Sequence, residues 1–255
     1  MTIVPDIKTH IATSDAASIT VRGKDLVNDL MGKVGFTAMT YFLIAGRMPT
    51  DNQVRVLDAC LVTLMEHGWT PTSIIARLAA DSNPGQSQIG IAAGLLAIGD
   101  VFVGTMEGCG RILAAGLKAA DQAAYCRDVV ADHRARKKAM PGFGHPFHKP
   151  DDPRPPRLFT IAREAGCKGD AIALLEKLGA ELDRAAGRHL TINATGAIAA
   201  LLLEIGLPPE VMRSIAVISR SAGLAGHLAE EHETHAARRV WELAEDHIPY
   251  EEKKS

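Results

Sequence analysis

Apolar side chains recur every three or four residues along most of this chain, and this spacing predicts a fold made of helices. One apolar face, which follows Thr50, consists of Val54, Leu57, Leu61 and Leu64. Hydrophobic residues make up 47% of the chain but aromatic residues only 4%, so aliphatic side chains must fill the core. Only residues 18–23 have the pattern of an extended strand. We therefore predict an all-α fold.

Helix boundaries and buried helices can also be located in the sequence. Thr50 and Gln53 have the form of a capping box at a helix start, and a second amphipathic helix is predicted between residues 170 and 187. Segments 89–99 and 211–228 are apolar on almost every side and rich in small residues. Because small side chains let helix backbones approach closely, these two segments are expected to be central helices or to lie at a subunit interface.

Composition and charge exclude several classes of protein. The chain has 255 residues and a formal net charge of −2, which argues against binding to nucleic acid. Its basic run, residues 134–138, is expected to be a solvated helix end, or else to meet the phosphates of a nucleotide-like ligand. The four cysteines form no Cys-x-x-Cys pair, so we expect neither a metal site nor disulfides.

The same sequence carries no sign of export or of membrane insertion. Residues 1–10 lack the apolar run of a signal peptide, and no stretch of about 20 apolar residues is present to cross a bilayer. We therefore expect a soluble protein, located in the cytoplasm, that has no membrane partner.

The stretch from Pro141 to Arg154 is rich in glycine and proline, which interrupt helices and central strands. Glycine lets the backbone approach a ligand, histidine exchanges protons near neutral pH, and the arginine fork binds carboxylate or phosphate. His145 and Arg154 supply the last two groups. The stretch is therefore either an ordinary connection between helices or a ligand-binding loop.

Motifs in this loop resemble the citrate synthase superfamily. Gly142-Phe143-Gly144-His145 is followed, nine positions after the histidine, by the arginine of Asp152-Pro153-Arg154. Other blocks resemble the family in the same order along most of the chain, namely residues 21–26, 40–43, 46–50, 66–68, 219–223 and 226–228. Beyond residue 94 the resemblance is closest to citryl-CoA lyases and to the C-terminal lyase module of ATP-citrate lyase.

The resemblance implies a domain organisation. Residues 1–110 and 207–255 would form a large helical domain, and residues 111–206 a smaller helical domain that closes over the ligand. A homodimer or a higher homo-oligomer is expected, because long helices of the family pack across a twofold interface.

The resemblance also implies a set of ligand contacts. His145 and Arg154 would hold the citrate or oxaloacetate part of the ligand, and His67 and Arg220 would complete that site. Further substrate contacts are Asn193 and Thr195, and the implied CoA contacts are Pro141, Gly142, Phe143, Gly144 and Lys149. Coenzyme A would then be part of the substrate, and no covalently bound cofactor is expected.

Three positions depart from the family. Citrate synthases have a catalytic histidine where this chain has Glu107, and the lyase modules carry an acidic residue there. Thr195 replaces the catalytic aspartate, and its hydroxyl cannot act as a base near pH 7. Pro146 replaces an arginine of the lyase module, for which His148 or Lys149 are candidates to compensate.

Glu107 is the predicted substitute for the missing acid, on the expectation that burial raises its pKa. A bound water is the alternative acid. Glu107 would have no chemical role if it were only a glutamate favoured by the dipole at a helix start.

The predicted function is that of a citryl-CoA lyase, which cleaves citryl-CoA to acetyl-CoA and oxaloacetate, with His145, His67 and Glu107 as catalytic residues. One alternative is an enzyme that makes or breaks a carbon–carbon bond with another 2-oxo acid. A second alternative is a catalytically silent CoA-binding subunit. The expected partners are an acyl-CoA and a dicarboxylate or tricarboxylate.

Overall fold

Helices dominate residues 8–101 and 103–253, the part of the chain that the computed structural model describes. The α-helices are α1 (Phe36–Ala45), α2 (Asp51–Met65), α3 (Pro71–Ser82), α4 (Ser87–Leu96), α5 (Thr105–Gly116), α6 (Gln122–Ala135), α7 (Arg154–Glu164), α8 (Asp170–Ala186), α9 (Ala194–Glu204), α10 (Met212–Thr234) and α11 (Ala236–His247). The predicted all-α class is confirmed. Among the described helices, none qualifies as a bilayer-crossing segment. Most of the N-terminal stretch considered for a signal peptide, residues 1–7, lies outside the described residues.

A small antiparallel sheet precedes the helices, and the sequence pattern predicts only its middle strand. β2 (Ile19–Val21) confirms the extended piece, whereas β1 (Ala12–Ser14) and β3 (Lys24–Asp25), which pair with its two edges, are missed. Arg22 and Gly23 both have positive φ, 49° and 77°, as a two-residue hairpin turn requires. Strands of two or three residues are too short to show an alternating pattern, which explains why they were missed.

The main hydrophobic core contains the apolar face of α2, as its sequence predicts. The Thr50 hydroxyl accepts the backbone N–H of Gln53, and the Gln53 side chain accepts the N–H of Thr50, at 3.2 and 3.0 Å. This geometry confirms the capping box. Leu57, Leu61 and Leu64 are buried one turn apart along the helix, so the predicted face of α2 is the one that enters the core.

Helix α9 lies at the centre of this core, although its sequence does not single it out. Every residue from 196 to 202 is buried, and α9 packs against α2, α5, α7 and α8. Periodicity shows that a helix has an apolar face, but it does not show which of several apolar helices is surrounded by the others.

The two segments predicted to be apolar on nearly all sides form most of α4 and α10. A Cβ atom on Gly94 of α4 would lie 2.6 Å from the Thr72 carbonyl oxygen and 2.8 Å from Leu224 of α10, so glycine permits this approach. Leu96, however, is 86% exposed. Helix α4 is therefore buried on one face only, and its predicted place at a subunit interface stays a prediction.

The predicted division into two domains also stays a prediction. Helix α5 runs unbroken across residue 110, and one hydrophobic core includes buried residues from both predicted domains, such as Leu61 and Leu178. The end of α2, the starts of α5, α7 and α9 and the middle of α10 open into one cavity. The fold thus brings distant parts of the chain to a single place.

Candidate active site

A cavity of about 1130 Å³ lies where these helix ends meet, and most of the predicted site residues line it. Those residues are His67, Glu107, Pro141, Phe143, Gly144, His145, Arg154, Asn193, Thr195 and Arg220. Gly142 belongs to the loop, but it is buried and does not line the cavity. Lys149 is exposed and does not line the cavity either. The predicted CoA contact of Lys149 therefore has no support from its position. Cavity residues that the sequence analysis missed include Trp69, Thr105, Phe147 and Arg213.

Two groups of side chains line this cavity. We call His67, His145, Arg154 and Arg220 the donor wall, because imidazole and guanidinium groups offer N–H donors there. We call Thr105, Glu107, Asn193 and Thr195 the helix-start wall, because they lie at the first residues of α5 and α9. The chemistry of the site depends on how each wall is hydrogen-bonded.

The predicted loop is shaped by glycines that press against α9. Gly142 and Gly144 have φ of 87° and 77°, a region in which side chains are strained. A Cβ atom on Gly196 would lie 2.4 Å from the Gly142 carbonyl oxygen. The Gly144 N–H bonds to the Thr191 carbonyl at 2.8 Å, and the Asn193 side chain donates to the Gly144 carbonyl at 2.9 Å. The loop is therefore a fixed part of the site.

Arg154 is held in place by Asp152, which the sequence analysis missed. The Asp152 carboxylate is 1% exposed and accepts Arg154 Nε at 2.9 Å and Nη2 at 2.7 Å, a two-pronged ion pair. Burial raises the pKa of Asp152, but the hydrogen bonds from Arg154 outweigh it and lower that pKa overall. The acidic residue beside the arginine in Asp152-Pro153-Arg154 was the readable signal for this pair.

Three imidazoles meet at the donor wall. His67 Nε2 lies 3.0 Å from His148 Nε2, and the ring centres of His145 and His148 are 4.3 Å apart. Burial, followed by the charges of neighbouring cationic groups such as Arg154, lowers the pKa of His67 and of His145. Both rings are therefore neutral at neutral pH.

These three rings could surround a metal ion by distance alone, since one nitrogen from each lies within 4.8 Å of the others. The hydrogen bonds argue against that use. His145 Nδ1 accepts the backbone N–H groups of Phe147 and His148, at 3.1 and 3.0 Å, so the neutral ring carries its proton on Nε2. A protonated nitrogen has no lone pair for a metal.

The same hydrogen bonds fit an acceptor ligand. Arg154 Nη2 lies 3.4 Å from His145 Nε2. With the proton of His145 on Nε2, two donors face each other with no acceptor between them. This arrangement matches an oxygen of an anionic or carbonyl ligand.

Arg220 presents a second set of unmatched donors. It is 6% exposed, and its buried Nε and Nη1 atoms have no hydrogen-bond partner. The nearest carboxylate is that of Glu66, 3.9 Å from Nη1. Burial lowers the pKa of Arg220, and the Glu66 charge offsets this only in part. A buried guanidinium without a hydrogen-bonded partner is costly, so this arrangement favours an anionic ligand over a structural ion pair.

The helix-start wall contains neutral groups that satisfy one another. The Thr195 hydroxyl donates to Asn193 Oδ1 at 2.7 Å, and it lies 2.9 Å from the Thr105 hydroxyl. Because the single proton of Thr195 goes to Asn193, Thr105 must donate to Thr195. The position where the family has an aspartate is therefore occupied by a chain of hydroxyl groups that carries no charge.

The expected rise in the pKa of Glu107 is wrong. Its carboxylate bonds to Arg111 at 2.8 Å and to Arg213 at 3.1 Å, and these bonds, that of Arg111 first, lower its pKa. Glu107 is therefore ionised at neutral pH and is no proton donor in this arrangement. The pairing with Arg111 could be predicted from the sequence, because Arg111 lies one turn after Glu107 in α5. The pairing with Arg213 could not, because Arg213 lies far along the chain, in α10.

Comparisons with known proteins agree with the resemblance drawn from the motifs. The family profile described as "Citrate synthase, C-terminal domain" matches residues 49–241. The structure of citryl-CoA lyase from Hydrogenobacter thermophilus is similar, with a TM-score of 0.86 and 30% sequence identity. That similarity covers 98% of this chain and 96% of the lyase chain, so the two proteins correspond over nearly their whole lengths.

Two further relatives are longer than this chain. ATP citrate lyase from Methanothrix soehngenii, solved with citrate and coenzyme A, shares the fold with a TM-score of 0.81 and 19% identity, over 98% of this chain and 42% of that chain. A citrate synthase of Heyndrickxia coagulans is 24% identical over 204 residues, which are 78% of this chain and 53% of that protein. The chain thus spans about half the length of the sequence relatives that it matches.

Proposed function

The chain belongs to the citrate synthase family, and we propose that it is a citryl-CoA lyase, which cleaves citryl-CoA to acetyl-CoA and oxaloacetate. The observation that carries this proposal is the buried guanidinium of Arg220, whose Nε and Nη1 lack hydrogen-bond partners in the same cavity as Arg154 and His145. Donors without acceptors are what a ligand with several carboxylates requires. The full-length similarity to a citryl-CoA lyase supports the choice of reaction.

The donor wall can perform the recognition steps of this reaction. Arg154 and Arg220 would each bind a carboxylate of the citryl group, and the Nε2 proton of His145 would bind the oxygen that becomes the oxaloacetate carbonyl. Because Asp152 fixes Arg154 before the ligand arrives, little side-chain freedom is lost on binding.

Glu107 cannot supply the proton that this reaction needs. Cleavage removes the proton of the tertiary hydroxyl, breaks the carbon–carbon bond and leaves an acetyl-CoA enolate that takes up a proton at carbon. His67 is neutral and can accept the hydroxyl proton. Thr195 is uncharged and Glu107 is already ionised, so our candidate to protonate the enolate carbon is a bound water, which takes the proton held by His67 in exchange.

CoA would enter along the loop of Pro141, Gly142, Phe143 and Gly144, which forms one side of the cavity. The apolar side chains of Trp69 and Phe147, which are 51% and 81% exposed, also line the cavity. Exposed aromatic rings at a cavity suit the apolar and ring-bearing parts of a CoA ligand. A homodimer and a cytoplasmic location complete the proposal.

Two alternatives have a specific observation behind them. Sequence relatives are named citrate synthases, which favours an enzyme that forms the carbon–carbon bond. Formation or cleavage of that bond with another 2-oxo acid is the variant of this alternative. The satisfied hydroxyl groups of the helix-start wall favour a catalytically silent CoA-binding subunit. Both alternatives use the donor wall for binding and differ from the lyase in turnover.

The test is oxaloacetate release from citryl-CoA by the purified chain, measured by reduction of the product to malate with NADH. We expect release that falls by about 100-fold in His145→Ala, the size typical for loss of a positioned donor. His247→Ala, at the exposed end of α11, is the matched control. Binding of citryl-CoA without release would support the silent subunit, and citrate formation without cleavage would support the synthase.

A further inference from the structure

His148 lies at the donor wall but has no part in the chemistry proposed above. Its Nε2 atom is 3.0 Å from His67 Nε2, and the two ring planes are nearly perpendicular, at 85°. Two imidazole nitrogens at this distance hold one proton between them, because two lone pairs or two N–H groups would repel. His67 and His148 therefore act as one unit, which we call the imidazole pair.

The fixed positive charge at the donor wall is partly compensated before any ligand arrives. Arg154 is paired with the buried carboxylate of Asp152, and Arg220 has the carboxylate of Glu66 at 3.9 Å. Elsewhere in the cavity lining, Arg213 is paired with Glu107 and Asp100. A ligand with several carboxylates would bring more negative charge than these cations have left to balance.

Neutral imidazoles are the groups here that can gain positive charge near neutral pH. His145 is poorly suited, because its Nδ1 already accepts two backbone N–H groups. In the imidazole pair, the proton shared by the two Nε2 atoms stays in place, and a second proton can be added at Nδ1 of the ring that donates it. The pair can thus take up a second proton and spread the charge over two rings while its N–H···N hydrogen bond persists.

We propose that the imidazole pair takes up a proton when citrate binds, because citrate carries one carboxylate more than citryl-CoA, so that His148 makes the affinity of the site for citrate depend on pH. With citryl-CoA the pair stays neutral, as the role of His67 as proton acceptor requires. This inference rests on the proposed function, since it assumes a citrate-like ligand on the donor wall. His148 acts through His67 and is in this sense a positioning residue.

The charged and titratable groups that face the pair come from every element packed around it. They are Glu66 after α2, His145 and Asp152 of the loop, Arg154 of α7 and Arg220 of α10. Burial and then the Arg154 charge lower the pKa of His67 in the free protein. Bound carboxylates act in the opposite direction and raise it.

The direction of the pH effect follows from this difference. A group whose pKa is higher in the complex than in the free protein strengthens ligand binding. The full gain in affinity is present at pH values below the pKa of that group in the free protein. That gain is lost as the pH rises through the pKa of the complex. Citrate should therefore bind more weakly at about pH 8 than at about pH 6, although citrate itself becomes more negative over this range.

The experiment is titration calorimetry of the full chain with citrate, in buffers of different ionisation enthalpy. The slope of the observed heat against that enthalpy counts the protons taken up. We expect an uptake approaching one proton per citrate near pH 7.5 for the wild type. In His148→Gln, whose amide can keep the hydrogen bond but cannot titrate, the uptake should fall to less than about half. His247→Gln is the matched control and should behave as the wild type.

The outcomes separate the two proposals. Citrate binding without proton uptake in the wild type, or unchanged uptake in His148→Gln, would overturn the role of the imidazole pair and leave the proposed lyase intact. No citrate binding at any pH would overturn the donor wall as a carboxylate site, and with it the proposed function and this inference.

Discussion

The two walls of the cavity differ in how their polar groups are satisfied. On the donor wall, Arg220 has buried N–H groups without acceptors, and Arg154 and His145 direct donors at the same place. On the helix-start wall, the Thr105 hydroxyl bonds to that of Thr195, which in turn donates to Asn193 Oδ1. One wall is incomplete without a ligand, and the other is complete by itself.

This difference separates recognition from acid–base chemistry. Unmatched buried donors cost stability in the free protein, and a ligand with acceptor oxygens recovers that cost on binding. A closed set of neutral hydroxyl groups gains little from a ligand and supplies no proton near pH 7. The structure therefore supports ligand recognition by the donor wall more strongly than catalysis by the helix-start wall.

The largest effect is expected where the loop presses on the helix-start wall. Gly196→Ala would place a Cβ atom 2.4 Å from the Gly142 carbonyl oxygen, so the loop or α9 must move. We expect a loss of about 3 kcal/mol in the free energy of unfolding, together with loss of citrate binding. Denaturant unfolding and calorimetry measure the two effects.

Gly226→Ala in α10 is the matched control for this change, because a Cβ atom there meets nothing within 4 Å. It should stabilise the helix by about 0.5 to 1 kcal/mol. Equal stability of Gly196→Ala and the wild type would show that the two walls are not in rigid contact.

The next effect tests the donor wall directly. Arg220→Met should weaken citrate binding by about 100-fold, because it removes charge-assisted hydrogen bonds. The same change should raise the melting temperature of the free protein by a few degrees, because a buried charge without a hydrogen-bonded partner is lost. Calorimetry and thermal unfolding give the two values.

Arg239→Met, on the exposed surface of α11, is the control for Arg220→Met and should change neither value appreciably. A lower melting temperature with unchanged citrate binding would mean that Arg220 is a structural residue. The contrast between the two walls would then lose its main support.

The smallest effect is expected on the helix-start wall. Glu107→Gln removes a charge that Arg111 and Arg213 already balance, so the rate of citryl-CoA cleavage should change by less than about threefold. Steady-state kinetics of oxaloacetate release provide the measurement. A fall of about 100-fold with intact binding would instead assign acid–base chemistry to Glu107 and reverse the contrast.

Much of the fold was predictable because helices depend on local patterns. The capping box at Thr50 and the buried leucines of α2 follow from residues within a few turns of each other. The central position of α9 and the exposed face of Leu96 on α4 were not predictable. They depend on which helices surround which, and periodicity does not contain that information.

The helical class, the family resemblance and the residue types of the donor wall can be read from the amino-acid sequence, because they follow from periodicity and from motifs along the chain. The charge and proton position of each group depend on the folded arrangement. That arrangement brought Arg213 to Glu107, the hydroxyl of Thr105 to Thr195, and His148 to His67. Charge and proton position depend on neighbours a few ångströms away, and in a folded chain those neighbours come from distant positions.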